Sequence, residues 1–217
     1  MDPISEAVWP YFLTLAIAII AYSLFAQKKR SANIAKVAQS QGYEFSITGR
    51  DATLARHENF ELFSKGYNRK IRNEMWKTES GNDIAIFDYS YTQSSGGDSR
   101  STSQMVLSIT CPRLDAPAFR LQPEHKLKNL LQSLGYKDIN FESFPIFSAL
   151  YDLQGEDEGK VRELFTPEAI KFFEANQGLY LEAQQDTLIL FISRLRFSGT
   201  GVTRLSSLGK KLLSTLT

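Results

Sequence analysis

Cysteine and histidine are the scarcest reactive side chains in this sequence. Cys111 is the one cysteine among 217 residues, so no disulfide can form within the chain and no CxxC metal motif exists. The histidines are His57 and His125, each flanked by charged residues, which predicts that both lie on the surface. Neither has neighbours that complete a hydrolytic triad or a zinc site. We therefore expect no catalytic residue, no metal ligand and no cofactor, and we favour a non-enzymatic role.

An excess of one charge is also missing. The chain has 25 basic and 24 acidic residues, and residues 31–217 carry 22 of each. A nucleic-acid-binding protein normally has a strong basic excess, because neutralising phosphates supplies most of its affinity. We therefore expect no nucleic-acid partner.

Charge is wholly absent from one long stretch, Val8–Ala26. A helix of this length spans roughly 28 Å, close to the thickness of the hydrocarbon core of a bilayer. Trp9, Tyr11 and Tyr22 lie near its ends, where amphipathic rings favour the headgroup region. Residues 8–26 are predicted to form a transmembrane helix that binds the lipid bilayer, after a short extracytoplasmic segment, residues 1–7.

The basic residues that follow this stretch predict its orientation. A cleaved signal peptide carries its positive charge before the apolar run, whereas Lys28, Lys29 and Arg30 come after it here. Positive residues resist translocation, so the larger part of the chain is expected on the cytoplasmic side of a bacterial inner membrane. Residues 27–41 are predicted to be a basic, helical juxtamembrane segment.

Residues 42–217 are predicted to form one soluble α+β domain, with a subdivision near residues 122–140 left open. Strand-like runs are joined as hairpins and mixed with amphipathic helices, and no βαβ unit repeats. The predicted strands are 43–47, 67–76, 83–91, 104–110, 118–121, 138–142, 179–183 and 187–197. The predicted helices are 31–41, 51–56, 125–134, 156–165, 167–176 and 202–216. The fold class is thus α+β: one transmembrane helix followed by antiparallel hairpins packed with helices.

A polar run and an acidic run each suggest a binding site but are better explained structurally. Residues 94–103 (SSGGDSRSTS) lack the lysine of a phosphate-binding P-loop, which favours a flexible hairpin tip. Glu156, Asp157 and Glu158 lack calcium-loop spacing and precede a helix, where acidic residues complement the helix dipole.

Charged residues on two predicted strands are the remaining candidates. Asp88 interrupts the apolar strand at 83–91, and an unpaired buried carboxylate is costly. It either faces solvent or forms a structural ion pair, for which the strand bearing Arg69, Lys70 and Arg72 is the expected source of a partner. These three residues and Lys65 form a local basic cluster that could contact anionic lipid or a partner protein. A solvated strand face balanced by local acids is the alternative.

Several segments resemble a family of uncharacterised bacterial membrane-anchored proteins. They are FELFSKGYNRKIRNEMW, IAIFDYSYT, FESFPIFSALYDLQGEDEGKVRELFTPEAIKFFE and GLYLEA, all within residues 60–190. The resemblance implies a bacterial source and a single membrane span, and it implies no activity.

The sequence therefore favours a membrane-tethered domain that binds a membrane or cytoplasmic protein as an accessory, scaffold or assembly factor. One uncharged helix provides no transport path. Two alternatives remain open. One is an enzyme whose site is assembled from scattered residues, and the other is a sensor domain that binds anionic lipid.

Overall fold

A computed structural model describes residues 3–124 and 138–217, and these contain seven helices and eight strands. The helices are α1 Pro3–Ser40, α2 Asp51–Arg56, α3 Glu61–Ser64, α4 Pro145–Leu150, α5 Glu158–Leu164, α6 Pro167–Ala175 and α7 Thr200–Leu216. The strands are β1 Glu44–Ser46, β2 Tyr67–Glu79, β3 Asn82–Ser95, β4 Asp98–Thr110, β5 Ala116–Pro123, β6 Tyr151–Gly155, β7 Tyr180–Gln185 and β8 Thr187–Phe191.

The strands form a single sheet in the order β1-β2-β3-β4-β8-β7-β5-β6. Every neighbouring pair is antiparallel. Hairpins connect β2 to β3, β3 to β4 and β7 to β8, helices α2 and α3 lie between β1 and β2, and a short segment, residues 111–115, leads from β4 to β5. The predicted α+β class, with an N-terminal apolar helix and antiparallel hairpins, is confirmed.

Both faces of the sheet are covered, and they are covered by different parts of the chain. On one face, the end of α1 and helices α4 to α7 bury a large core that includes Ile34, Leu107 and Phe173. On the other face, α2 and α3 cover a smaller aromatic cluster that includes Phe63 and Phe87. Strands with two buried faces read as nearly continuous apolar runs, as β8 does over Leu188–Phe191.

Helix α1 joins the apolar N-terminal stretch to this domain without a break. It contains the only helix segment of residues 3–124 and 138–217 that is long and apolar enough to cross a membrane, Trp9–Ser40, within which an 18-residue window has a mean hydropathy of 1.7. Residues 9–26 are exposed, whereas Ile34 and Ala38 are fully buried against the sheet. One helix therefore has an apolar, unpacked half and a half that belongs to the domain core.

The polar run at 94–103 is not a long loop. Strand β3 pairs with β4 in unbroken register from Asp83–Thr110 to Ser95–Asp98, so the turn consists of Gly96 and Gly97 alone. Both glycines have positive φ, +60° and +93°, as tight hairpin turns that match the twist of a sheet require. Most serines and threonines here lie in strands, because strand pairing tolerates hydroxyl side chains where one face is wet.

Three other expectations about secondary structure were wrong. Residues 138–142 form no strand, and the edge strand β6 was not predicted. Strand β8 ends at Phe191 rather than Phe197, since the chain turns at Arg194, whose φ is +60°. The helix expected at 125–134 lies outside the described residues, as do His125 and much of the region where a subdivision was left open.

Side chains cap the starts of α6, which begins at residue 167 as predicted, and of α5, which begins two residues later than predicted. The Thr166 hydroxyl accepts a hydrogen bond from the Ala169 amide at 3.3 Å, and the Asp157 carboxylate accepts one from the Lys160 amide at 3.1 Å. Helix α7 packs on the sheet with Leu205 and Leu212 buried, so its leucine stripe covers the core.

Candidate functional site

The end of the domain from which the apolar half of α1 leaves is the first candidate site. Contacts along α1 define that end. Arg30 contacts Asp88 of β3, whereas eleven residues later the Gln41 carbonyl accepts a hydrogen bond from Lys77, which pairs with Ile84 of β3. As α1 runs toward its C-terminus it thus passes from residue 88 toward residue 84 of β3. The apolar half of α1 therefore lies toward the β3–β4 turn.

A cluster of polar groups fixes α1 to the sheet at this end. The Arg30 guanidinium binds both carboxylate oxygens of Asp88, with Nη2 at 2.9 Å from Oδ1 and Nη1 bound to Oδ2. Nη2 also donates to the Phe197 carbonyl at 2.7 Å, and the Asn73 amide donates to Asp88 at 2.8 Å. The two charged side chains are only 18% and 7% exposed. Two parallel hydrogen bonds at this depth hold the helix in one orientation. We call Arg30, Asp88, Asn73 and the Phe197 carbonyl the anchor clamp.

A bulge in β2 positions the Asn73 side chain, whose amide group belongs to the anchor clamp. The β2–β3 register shifts between Arg72 and Met75, and Asn73 adopts a positive φ of +49°. Asparagine tolerates this conformation better than most residues. The bulge directs the Asn73 side chain to Asp88, while the Asn73 backbone N–H donates to the Ile47 carbonyl at 2.9 Å.

Asp88 does form an ion pair, but its partner is not on the basic strand. Even-numbered residues of β3 point toward α1, so Asp88 is buried beneath the helix rather than facing solvent. Arg72 is its neighbour in register, yet Arg72 is exposed, and Arg30 reaches the carboxylate instead. Arg30 was expected to act only as a membrane anchor. The pair joins positions 58 residues apart, a separation that no local pattern could reveal.

The other anchor residues are exposed. Trp9, Tyr11 and Tyr22 are 70%, 74% and 74% exposed, and Lys28 and Lys29 are exposed as well. Large apolar surface left unpacked along a whole helix is typical of a membrane segment and costly in water.

The basic cluster expected on β2 divides between the two faces of the sheet. Lys65 pairs with Glu61 at 3.0 Å, and the Arg69 guanidinium donates to the Ser64 and Gly66 carbonyls near α3. Lys70 and Arg72 are exposed on the α1 side, because their register partners are Ser90 and Asp88. Only these two lie on the same side as Lys28 and Lys29.

A cleft at the opposite end of the domain is the second candidate, and sequence reasoning missed it. His57 is 1% exposed rather than on the surface. Its Nδ1 lies 2.6 Å from the Thr53 carbonyl and its Nε2 lies 2.7 Å from the Ser108 hydroxyl. The ring stacks on Phe63 at 5.1 Å. One feature of the sequence could have predicted this burial, because His57 follows Thr53 by one helical turn and precedes an aromatic run. Its charged neighbours, Arg56 and Glu58, indicated a surface position instead.

The geometry around His57 fits a structural role better than a catalytic one. A cleft of about 140 Å³ touches His57 and Ser108 and is lined by Arg50, Arg56 and Asp83. Burial lowers the pKa of His57, which keeps the imidazole neutral near pH 7. Its Nδ1 contacts a backbone carbonyl instead of the carboxylate that orients a catalytic triad, and Ser108 is 3% exposed.

Two buried glutamates contact α2 and α3, on the face of the sheet that these helices cover. Glu74 is fully buried and accepts hydrogen bonds from Arg50 and from the Thr53 hydroxyl at 2.6 Å. Glu182 accepts the Leu62 amide at 3.1 Å, and burial raises its pKa to about 7, with the Glu61 charge adding to the shift. In residues 3–124 and 138–217, no group of three or more His, Cys, Asp or Glu side chains could hold a metal ion.

The fold and the anchor clamp together define a single-helix-anchored α+β protein. No family model and no curated protein matches the chain. A solved structure does, the crystal structure of the mycobacterial trehalose monomycolate transport factor A, TtfA. It is 11% identical, the match covers 86% of this chain and 96% of that one, and the TM-score is 0.59. At this identity the likeness shows a shared fold.

Proposed function

We propose that this protein is a membrane-anchored accessory factor that binds another protein of a transport process at a bacterial inner membrane, with its α+β domain in the cytoplasm. The anchor clamp is the observation that carries the proposal. A tether that only prevents diffusion needs no fixed geometry, and a flexible linker would serve. Here the apolar helix continues into the domain core and is fixed by an Arg30–Asp88 pair, so the span sets the position and orientation of the domain.

Two further observations support an accessory role. A protein that shares this fold is named a transport factor. In the described part of the chain, a single helix is suited to cross a membrane, and it carries no charge from Val8 to Ala26. Transport paths need several spans or ionisable groups within the membrane. The transport step itself would therefore belong to the partner.

A mild-detergent pull-down of the tagged full-length protein from its own membranes tests the proposal. The comparison is a chain lacking residues 1–26, which keeps Arg30 and hence the anchor clamp. A third chain carries an unrelated single span in place of residues 8–26. We expect a stoichiometric membrane partner with the full-length protein and a weaker yield without the span. Recovery with the foreign span would assign the contact to the domain. A protein that comes down alone in all three forms contradicts the proposal.

A further inference from the structure

Basic residues from three separate segments surround the point where α1 leaves the domain. Lys28 and Lys29 precede the anchor clamp on α1, and Lys70 and Arg72 lie on the same side of β2. The segment after β8 reaches this point as well, because its Phe197 carbonyl accepts from Arg30 and its Leu195 carbonyl accepts from the Met105 amide. We call five exposed basic residues of these segments the basic collar: Lys28, Lys29, Lys70, Arg72 and Arg196. Arg194 is left out because its charge lies near Tyr180, on the face that α2 and α3 cover.

The charge of this end departs from that of the whole chain. The segments 28–30, 67–72, 88–105 and 192–197 contain nine basic residues and two acidic ones, Asp88 and Asp98. Asp88 is already neutralised by Arg30. The rest of the chain then holds 16 basic and 22 acidic residues, so a nearly neutral protein is strongly polarised.

The members of the basic collar also lack the ion pairs made elsewhere. Among residues 3–124 and 138–217, some basic residues away from the collar pair with acids, as Arg50 does with Glu74 and Arg162 with Glu158, and others, such as Arg113 and Lys160, do not. No such pair involves a collar residue within the same described ranges. Five like charges at one end of a domain repel one another, and an external anion would relieve that repulsion.

Hydroxyl groups extend the basic collar along the β3–β4 hairpin. The register pairs Ser90 with Ser103, Thr92 with Ser101 and Ser94 with Ser99, so all six side chains share the face toward α1. The Tyr67 hydroxyl lies 3.2 Å from both Ser94 and Ser99 on the same face. Hydroxyls donate hydrogen bonds to phosphate oxygens, and small side chains leave room for a headgroup.

We propose that the basic collar and this hydroxyl face bind the phosphate headgroups of anionic lipids in the membrane that α1 enters. The helix holds the collar near the bilayer, so headgroups are present there at high effective concentration. Basic residues close to an anionic membrane surface each add to its attraction for the protein. The anchor clamp keeps the collar from turning away, since Arg30 is fixed between Asp88 and the Phe197 carbonyl.

Lipid titration of the full-length protein in mild detergent tests this inference. Dihexanoyl phosphatidylglycerol and dihexanoyl phosphatidylcholine are added separately, and bound lipid is counted by native mass spectrometry. We expect the anionic lipid to bind at least about tenfold more tightly, and Lys70→Glu with Arg72→Glu to reduce its affinity by about tenfold or more. Arg113→Glu with Lys160→Glu is the matched control, because both residues are exposed, lack an ion pair among the described residues, and lie away from the collar.

The outcomes separate the possible ligands. Equal affinity for the two lipids, or an equal effect of the two double variants, overturns the inference. Inorganic phosphate that competes as well as the anionic lipid indicates a site for free phosphate and overturns the lipid assignment. Unchanged thermal unfolding of both double variants in detergent confirms that each retains its fold. The partner pull-down is independent of these results.

Discussion

At the scale of single residues, Asp88 should contribute most to the attachment of α1. Replacing Asp88 with Asn leaves the Arg30 guanidinium mostly buried without a countercharge. Removing one partner of a buried ion pair typically costs several kcal/mol, so we expect the free energy of unfolding to fall by about 3 kcal/mol. Urea denaturation of the full-length protein in detergent, followed by circular dichroism, measures the change.

Two further variants test whether the buried charge is responsible. Asp98→Asn removes a carboxylate from the exposed first residue of β4 and should leave stability unchanged. Arg30→Met combined with Asp88→Leu removes both charges and should recover part of the loss, because no unpaired charge stays buried. A double variant as unstable as Asp88→Asn would mean that packing, not charge, holds the helix.

Glu182 should make the fold less stable as pH rises. Its pKa is raised to about 7 in the fold from 4.5, so the folded state binds more protons between these values. Stability is then highest below about pH 4.5 and declines as pH rises to about 7. The facing charged groups are Glu61 of α3, Lys65 directly after α3, and Arg120 of β5, which pairs with Glu61.

The variant Glu182→Gln should remove this dependence. The amide oxygen of Gln can still accept the hydrogen bond from the Leu62 amide. We expect the variant to exceed the parent protein by about 3 kcal/mol at pH 8 and to match it near pH 4. Denaturant titrations across this pH range measure the difference. Parallel curves of the free energy of unfolding against pH for the two proteins would refute the assignment. Glu156→Gln, at an exposed position, is the control and should leave the pH dependence of the parent protein unchanged.

Residue-level roles followed from the sequence only where the interaction is local. Thr166 and Asp157 could be predicted as helix caps because each bonds an amide three residues away. Asp88 could be predicted to need a partner, since a lone carboxylate in an apolar strand is costly, but the identity of that partner could not. The contact between His57 and Ser108 joins positions 51 residues apart, and the charged residues beside His57 indicated a surface site.

At the scale of elements, the packing of α7 on β4 depends on one glycine. A Cβ added at Gly209 would lie 1.9 Å from the Cδ2 atom of Leu107, which is fully buried. We expect Gly209→Ala to reduce the free energy of unfolding by about 1 to 3 kcal/mol through overpacking, despite the higher helix propensity of alanine. Thermal unfolding measures the effect, with the exposed Ser207→Ala as a control on the same helix. Rescue by Leu107→Ala would confirm the clash, and a stabilised Gly209→Ala would contradict it.

Helix α1 should divide functionally at the point where burial begins. Deleting residues 1–26 removes the exposed apolar surface of residues 9–26, whereas deleting residues 1–40 also removes Ile34 and Ala38 from the core. We expect the shorter deletion to give a folded, soluble monomer and the longer one to unfold or aggregate. Size-exclusion chromatography and a cooperative thermal transition distinguish these outcomes. A well-folded protein lacking residues 1–40 would show that the end of α1 is dispensable.

Element types were easier to predict than element ends. The alternation in β3 and the leucine spacing of α7 each repeat with one clear period, so both were identified. Strand β6 was missed because Tyr151–Gly155 is short and lies at the edge of the sheet after a proline-led helix. The strands β3 and β4 are longer than the sequence predicted, because the residues near their hairpin turn are mostly serine, threonine and glycine, which are typical of loops.

At the scale of the whole molecule, the basic collar and the anchor clamp should favour the same orientation of the domain relative to the bilayer. The apolar half of α1 leaves the domain at the end that carries the basic collar, and acids predominate in the rest of the chain. A rigid connection between span and domain keeps this arrangement fixed relative to the bilayer. A domain attached through a flexible linker would depend on charge alone for its orientation.

The orientation of the span is the last prediction. Basic residues close to an apolar helix keep that side in the cytoplasm, and Lys28, Lys29 and Arg30 follow the span, while Asp2 and Glu6 precede it. We expect a C-terminal green fluorescent protein fusion to fluoresce and the matching alkaline phosphatase fusion to be inactive. Lys28→Glu with Lys29→Glu weakens the charge difference while leaving the Arg30–Asp88 pair intact, and should raise phosphatase activity several-fold. Phosphatase activity in the unmodified fusion would place the domain outside the cytoplasm, and a cytoplasmic partner would then be excluded.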